Sequence, residues 1–545
     1  MSIGIVNTRF GEIRGEELTG KYAGITTFRS VPYAQPPVGN LRFRDPVELI
    51  GWEGVLDATH FASRPMQESE SGITIEPWAS DFYASGNPPM SEDCLYLHIT
   101  TGAQSSGERR PVFMWFHGGG LSSGYYSEIE FDPSELARKG IVVVSVGQRL
   151  NVFGYLCLPQ LAAESNGSTG NFGLKDEVMA LNWVYENIAA FGGDPDNITV
   201  GGQSGGTAKS TALATSPKAG GKIKRVINQS NLAWMRNYQS MDAAFEAGKA
   251  YLKNLGLDPD TTPEELRKIP AYQFYQLQRK IKGWDELGGI PGSMVCDGAY
   301  IASISAKENM QNYASEVDYL SGGNVGESSL RGIGLMPGER FKTEQEFYDY
   351  MKEKLGTLYE KYEFEKNWPV TSENVDYMAR VLASRAFSDS WGLMGGVIIN
   401  RYFGAYRAKH APKARNFSYL FDHYPPSRTE EKGTFRDQNN LLAWHSAELW
   451  YTFASMRQAV PACRPWKDGD FHLAEMVSSY WANFIRTGDP NGCDSEGNPL
   501  PYWPESRENF GWMQLKEEPQ GHEGLDEIDK IALEMIAREK KYPEI

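Results

Sequence analysis

A chain of 545 residues that is 41% hydrophobic, 12% aromatic and 23% charged can bury a large core and is too apolar to be a disordered or low-complexity protein. Its formal net charge of −16, without any long run of Lys or Arg, argues against nucleic acid and anionic membrane as partners. Five cysteines, at 94, 157, 296, 463 and 493, are odd in number, scattered and free of any C-x-x-C, which argues against a disulfide scaffold and a thiolate zinc site.

The N-terminal MSIGIVNTRFGEIRG has no basic-plus-apolar leader, and no apolar run is long enough to span a bilayer. A cytoplasmic monomer or homodimer is expected. Residues 3–14 read as a short hairpin. The stretch 27–46, TFRSVPYAQPPVGNLRFRDP, holds too much proline for a helix and reads as an ordered surface wrap. Residues 62–91 form a long irregular segment containing Trp78, Phe82 and Tyr83. Such aromatics either wall a binding site or pin the loop to the surface.

Two apolar runs, 110–116 and 141–146, read as central strands covered on both faces. Helical periodicity follows over 183–188, then a strand ending near Val200, a helix from Thr207 and another strand at 226–229. This alternation is that of an α/β protein with a large, mostly parallel sheet and helices on both faces. Further on, helices are predicted over 243–255, 263–268, 272–282, 348–365, 374–387, 473–487 and 527–541, with a late strand at 417–421. No repeat or linker interrupts the chain. A single domain over 1–545 is expected, with helical insertions at about 239–285 and 341–408.

The stretch ITVGGQSGGTAKS (198–210) runs from strand through a tight turn into helix, with Ser204 at the apex of a G-x-S-x-G. Glycines at 202 and 206 remove side chains that would collide across such a turn, and the turn itself lifts the serine hydroxyl above the sheet. Upstream, His117-Gly118-Gly119-Gly120 follows a central strand, and its uncovered N–H groups suit a negative oxygen. The donors expected there are the N–H groups of Gly119 and Gly120, joined by Gly205.

A serine nucleophile needs a base and an orienting acid. Of eight histidines, His445 in NLLAWHSAELWYTF lies late in the chain, where the order Ser, acid, His of α/β-hydrolases puts the base. His423 in FDHYP is a rival, whereas His117 sits in the glycine loop on the wrong side of the strand end. For the acid, Glu327 in the glycine-rich loop LSGGNVGESS comes first, with Asp297 and Asp389 as weaker choices.

Together these stretches resemble the type-B carboxylesterases, the α/β-hydrolase family of cholinesterases, bacterial para-nitrobenzyl esterases and liver carboxylesterases. The matching motifs are FRSVPYAQPPVGNLRF (28–43), SEDCLYLHI (91–99), VFMWFHGGG (112–120), VSVGQRLNVFGYL (144–156), 171–206, INQS (227–230) and HSAEL (445–449). The resemblance implies Ser204 as nucleophile, Glu327 and His445 as its partners, and Gly119, Gly120 and Gly205 as oxyanion donors. It also implies Ser230 as a buried support of the triad, and ion pairs Arg42–Glu92 and Arg149–Asp176. The implied reaction is hydrolysis of a small ester, with no cofactor and no metal.

The chain departs from the family in several places. Gln203 stands where glutamate is frequent, which weakens the case for a cationic choline ester. Gly205 replaces the usual alanine and is expected to offer the same N–H on a looser backbone. Asn231 replaces the glycine usual after Ser230. The usual disulfides, Cys94 to a position near Met66 and a second around 257–266, are missing. An amide, carbamate or lactone would suit the same groups as an ester. A catalytically dead adhesion protein on the same fold would lack a triad residue that this chain keeps. Aromatic walls are expected from Trp78, Phe82, Tyr83, Trp234 and Trp391.

Overall fold

The computed structural model describes residues 3–67, 81–82, 87–230, 237–278, 293–327, 341–382, 397–457 and 464–540. Its main sheet has eleven strands, in chain order β1 (Glu16–Glu17), β2 (Thr26–Pro32), β3 (Tyr96–Thr101), β4 (Arg110–Phe116), β5 (Val142–Val146), β6 (Gly193–Gln203), β7 (Ile223–Gln229), β8 (Asp318–Asn324), β9 (Asn416–Phe421), β10 (Trp512–Leu515) and β11 (Gln520–His522). They lie in the order β11-β10-β9-β8-β7-β6-β4-β5-β3-β2-β1. From β5 to β10 every neighbouring pair is parallel, and the strands at both edges are antiparallel.

The apolar runs form the middle of this sheet because they can be covered twice. Along β4, Val112, Met114 and Phe116 face one apolar cluster while Phe113 and Trp115 face the other. The period of two along a strand sends alternate side chains to opposite faces. The first face is covered by α1 (Phe172–Asn187), α2 (Gly205–Ala214) and α3 (Val397–His410); the second is covered by α4 (Asp468–Thr487). Gly488, in left-handed conformation at φ 76°, ends α4.

The hairpin is found as Ile5–Thr8 paired with Gly11–Arg14. The stretch 27–46 is not a surface wrap throughout. Its first part is β2, and Phe28, Val31 and Tyr33 are buried. Proline excludes helix there, but Pro32 falls at the strand's end, where its missing N–H interrupts little of the ladder. The glycine-rich 320–329 stretch is likewise not all loop, since β8 runs through Gly322 and Gly323. A Cβ on Gly322 would lie 2.3 Å from the Tyr419 ring, so glycine here admits a neighbouring aromatic instead of making a turn.

Short helices occupy much of the two predicted insertions, at Met241–Asn254, Pro263–Lys268, Ala271–Gln278, Glu344–Leu355, Thr357–Lys361, Phe364–Asn367 and Val375–Leu382. The continuous helix expected over 348–365 is broken at Gly356, whose φ of 54° is outside the right-handed helical range. In contrast, α3 lies on the sheet itself, against β8 and β9. No helix among the described residues is long and apolar enough to cross a membrane.

Two ion pairs hold the N-terminal part in place. Arg42 clamps Glu92 through Nε and Nη2 at 2.5 and 2.6 Å, and Arg149 clamps buried Asp176 at 2.9 and 2.7 Å. A third cluster joins distant loops. Buried Asp81 accepts from Arg428 at 2.8 Å and Arg464 at 2.7 Å, and Arg464 also reaches Glu431 at 3.0 Å. The parallel strands β4, β6, β7 and β8 all end on the same side. The segments that leave them therefore meet in one place, as ligand-binding segments do in open α/β sheets.

Candidate active site

After Gln203 at the end of β6, the chain turns directly into α2, with Ser204 at φ 55° and ψ −119°. This is a strained conformation for a residue with a side chain, and it is held from both sides. Ser204 N–H donates to the Gln229 carbonyl at 2.9 Å, and Thr207 N–H donates to the Ser204 carbonyl at 3.0 Å. The flanking glycines are sterically required. A Cβ on Gly202 would lie 2.4 Å from the Gly206 backbone, and one on Gly206 would lie 2.0 Å from the Phe116 carbonyl oxygen.

The loop leaving β4 packs onto this elbow. Gly119 and Gly120 take φ of 83° and 63°, which glycine adopts at least cost. Ser123 N–H closes the loop by donating to the Gly119 carbonyl at 3.0 Å. The Gly120 carbonyl oxygen lies so near Gly205 that a Cβ there would be 2.0 Å from it. The expectation of a looser backbone at Gly205 is thus corrected, because the missing methyl lets two segments close up.

Glu327, in the turn after β8, meets His445, in the segment that follows β9 by way of the short helix Gln438–Leu441. His445 Nδ1 lies 2.5 Å from Glu327 Oε2. The other carboxylate oxygen accepts from Asn324 N–H at 2.9 Å. The two segments are stitched by backbone, with Gly326 N–H donating to the Ala443 carbonyl at 2.9 Å. A Cβ on Gly326 would stand 2.5 Å from the Leu441 carbonyl oxygen, so the contact needs glycine. On the opposite side of the ring, His445 Nε2 lies 3.4 Å from Gln203 Nε2, beside the elbow. Both side chains are largely shielded, at 5% exposure for Glu327 and 15% for His445.

Ser230 is buried at the end of β7, where its hydroxyl donates to Glu448 Oε1 at 3.0 Å. Glu448 also accepts from Asn324 Nδ2 at 2.6 Å, which connects Ser230 to the Glu327 turn. Burial, with a smaller push from the Glu327 charge, raises the Glu448 carboxyl to about 7. Glu448 is the residue that motif reasoning missed. Its signal was its place in HSAEL, one of the motifs that carry the family resemblance.

The alternatives are engaged elsewhere. His423 Nε2 lies 2.7 Å from Asp470 near the start of α4. Asp297 accepts from Ser168 Oγ at 2.6 Å and from three backbone N–H groups at 299–301. His117 is buried beneath the glycine loop, and burial holds its ring well below the usual histidine range. Phe82 is packed against the histidine-bearing segment. It is 4% exposed, with its ring 5.9 Å from both Trp444 and Trp450, so it pins its loop to the histidine-bearing segment. Trp78, Tyr83, Asn231, Trp234, Trp391 and Asp389 lie outside the described residues.

A parallel-centred sheet with a strand–elbow–helix after β6, and with the segments after β8 and β9 meeting above it, is an α/β-hydrolase fold. The model of the carboxylesterase family matches residues 2–532, and the chain belongs to that family. It is 28% identical to para-nitrobenzyl esterase of Bacillus subtilis, over 89% of this chain and 90% of that protein. It is 29% identical to fumonisin B1 esterase of Sphingopyxis macrogoltabida, over 95% and 87%. The crystal structure of a Geobacillus stearothermophilus carboxylesterase superposes with a TM-score of 0.74 at 28% identity, covering 97% of this chain and 99% of that one. The protein is a carboxylic ester hydrolase.

Proposed function

We propose that the protein cleaves neutral short-chain or aryl esters through an acyl-enzyme on Ser204. The observation that carries this reading is the Glu327–His445 pair at 2.5 Å, with the far side of the imidazole turned to the elbow. Glu327 holds the proton on Nδ1 and leaves Nε2 as the base. His445 takes the Ser204 proton as Oγ bonds to the carbonyl carbon. The N–H groups of Gly119, Gly120 and Gly205 receive the oxyanion. As the tetrahedral intermediate collapses, the C–O bond to the alcohol breaks and His445 gives its proton to the departing oxygen. Water, deprotonated by the same imidazole, then attacks the acyl carbon and releases the acid and Ser204.

Ser204→Ala should fold with unchanged thermal stability and lose nearly all hydrolysis of p-nitrophenyl butyrate. A fluorophosphonate probe should label the wild type at Ser204. Label mapped to any other serine would overturn the assignment.

The neutral substrate preference rests on Gln203, a buried amide beside Ser204 that places no fixed charge there. Butyrylcholine and its uncharged carbon isostere should therefore be turned over with similar kcat/KM, and a butyryl aryl ester faster than either. A preference of about tenfold or more for the cation, equivalent to about 1.4 kcal/mol, would reject the neutral site.

A further inference from the structure

Lys209 sits on α2, within two turns of Ser204, and is fully buried. Its ammonium donates to the His117 carbonyl at 3.0 Å and lies 3.5 Å from His117 Nδ1. With the Gln148 amide turned so that both its ends are satisfied, the Gln148 oxygen accepts from Nζ at 2.7 Å and its NH2 donates to the Val146 carbonyl at 2.8 Å. Nothing in the proposed ester chemistry uses this lysine. A buried lysine is costly unless its charge is wanted.

We propose that Lys209 is a positioning residue for the oxyanion hole: its ammonium, held beneath the 117–120 loop, fixes the His117 carbonyl and with it the direction of the N–H groups that follow. The inference rests on the reading of Gly119 and Gly120 as oxyanion donors. Three consecutive glycines have wide conformational freedom, so their aim has to come from outside the loop. From above, Ser123 N–H fastens the Gly119 carbonyl. From below, Lys209 fastens the peptide that enters the loop. Because α2 also begins at the elbow, one rigid helix sets both Ser204 and the hole. The positive charge under the loop additionally favours the negative oxygen forming above it.

The surroundings make this charge sensitive to pH. Glu177 on α1 and Glu128 on the segment after the glycine loop are the carboxylates whose charge acts on Lys209; His117 and Gln148 contact it from the ends of β4 and β5. Burial pulls Lys209 down to about 7 against the support of Glu177 and Glu128. Burial also raises Glu177 to about 8, and neither of its oxygens has a hydrogen-bond partner among the described residues. As pH rises, Lys209 loses the proton that makes it a charged donor, so kcat should fall on the alkaline side.

The test is Lys209→Met in the full chain, assayed with p-nitrophenyl butyrate across the pH range and with an aryl trifluoromethyl ketone, whose hemiketal places an oxyanion in the hole. The variant should lose about 10- to 100-fold in kcat with KM changed less than about threefold, and ketone inhibition should weaken by a similar factor. The alkaline fall in kcat expected of the wild type should disappear. Glu128→Gln, which keeps the lysine but removes a carboxylate that supports its charge, should move that fall to lower pH. Wild-type kcat and ketone affinity in Lys209→Met would overturn the proposal. If Lys209→Met does not fold, an unmoved alkaline limb in Glu128→Gln overturns the proposal. A wild type that the ketone does not inhibit would instead refute the oxyanion-hole reading itself.

Discussion

A methyl group on Gly205 would lie 2.0 Å from the carbonyl oxygen of Gly120, closer than any non-bonded contact permits. Gly205→Ala therefore forces the glycine loop away from the elbow by something on the order of 1 Å, a displacement that can cost about 100-fold in rate. The expected outcome is a folded protein still labelled at Ser204, with kcat reduced at least tenfold and KM little changed. Unchanged kcat would mean that the loop recedes without loss, as relatives bearing alanine must arrange. The elbow's other glycines were legible in the sequence because G-x-S-x-G is a steric pattern that repeats across proteins. The special closeness at Gly205 was not, since it depends on where a loop from another strand comes to rest. Lys209 was silent for the same reason. A lysine on a predicted helix reads as a solvated side chain until the fold shows it buried beneath His117.

Among the elements, β8 and the segment after β9 illustrate what a linear pattern conveys and what it hides. Glu327 could be picked from its loop and from the family resemblance, yet the strand that delivers it was hidden. Glycines at 322 and 323 lower strand propensity, and only Tyr419 on the neighbouring β9 explains one of them. Glu448 was hidden too, because its partners Asn324 and Ser230 come from β8 and β7. Its chemistry gives a prediction for this layer. The folded protein holds the Glu448 proton up to about pH 7, while the unfolded chain releases it near its ordinary value of 4.5. Over that interval the native state binds more protons, so the stability contributed by this group is full below about 4.5 and is lost as pH rises through about 7. The loss is on the order of 3 kcal/mol or less, since Glu327 shares the same buried region. Thermal midpoints measured between those limits should fall with pH in the wild type and fall less in Glu448→Gln. Parallel pH dependence in the two proteins would remove Glu448 as the cause.

Across the whole molecule, the alternation of apolar runs and helices announced the parallel-centred sheet, because doubly covered strands need apolar residues on both faces. The antiparallel edges were less visible. β2 passes through a proline-rich stretch, and β10 and β11 are short strands whose pattern is too brief to register. The formal net charge is −16, and two of the ion pairs that join distant segments, Arg149–Asp176 and Arg464–Asp81, are buried. Asp81 with Arg464 ties a loop near the N-terminus to the last fifth of the chain, and such a pair is screened little by salt. The site is likewise built across great sequence separation, for Gln203 and His445 meet although 242 positions apart. Contacts of that span require long loops to close, at an entropic cost that grows with loop length. During synthesis, then, the elbow strand and its serine emerge well before their base exists. On the proposed roles, a nascent or truncated chain that ends before His445 carries a harmless serine, and the ribosome supplies the base only 241 residues after the nucleophile.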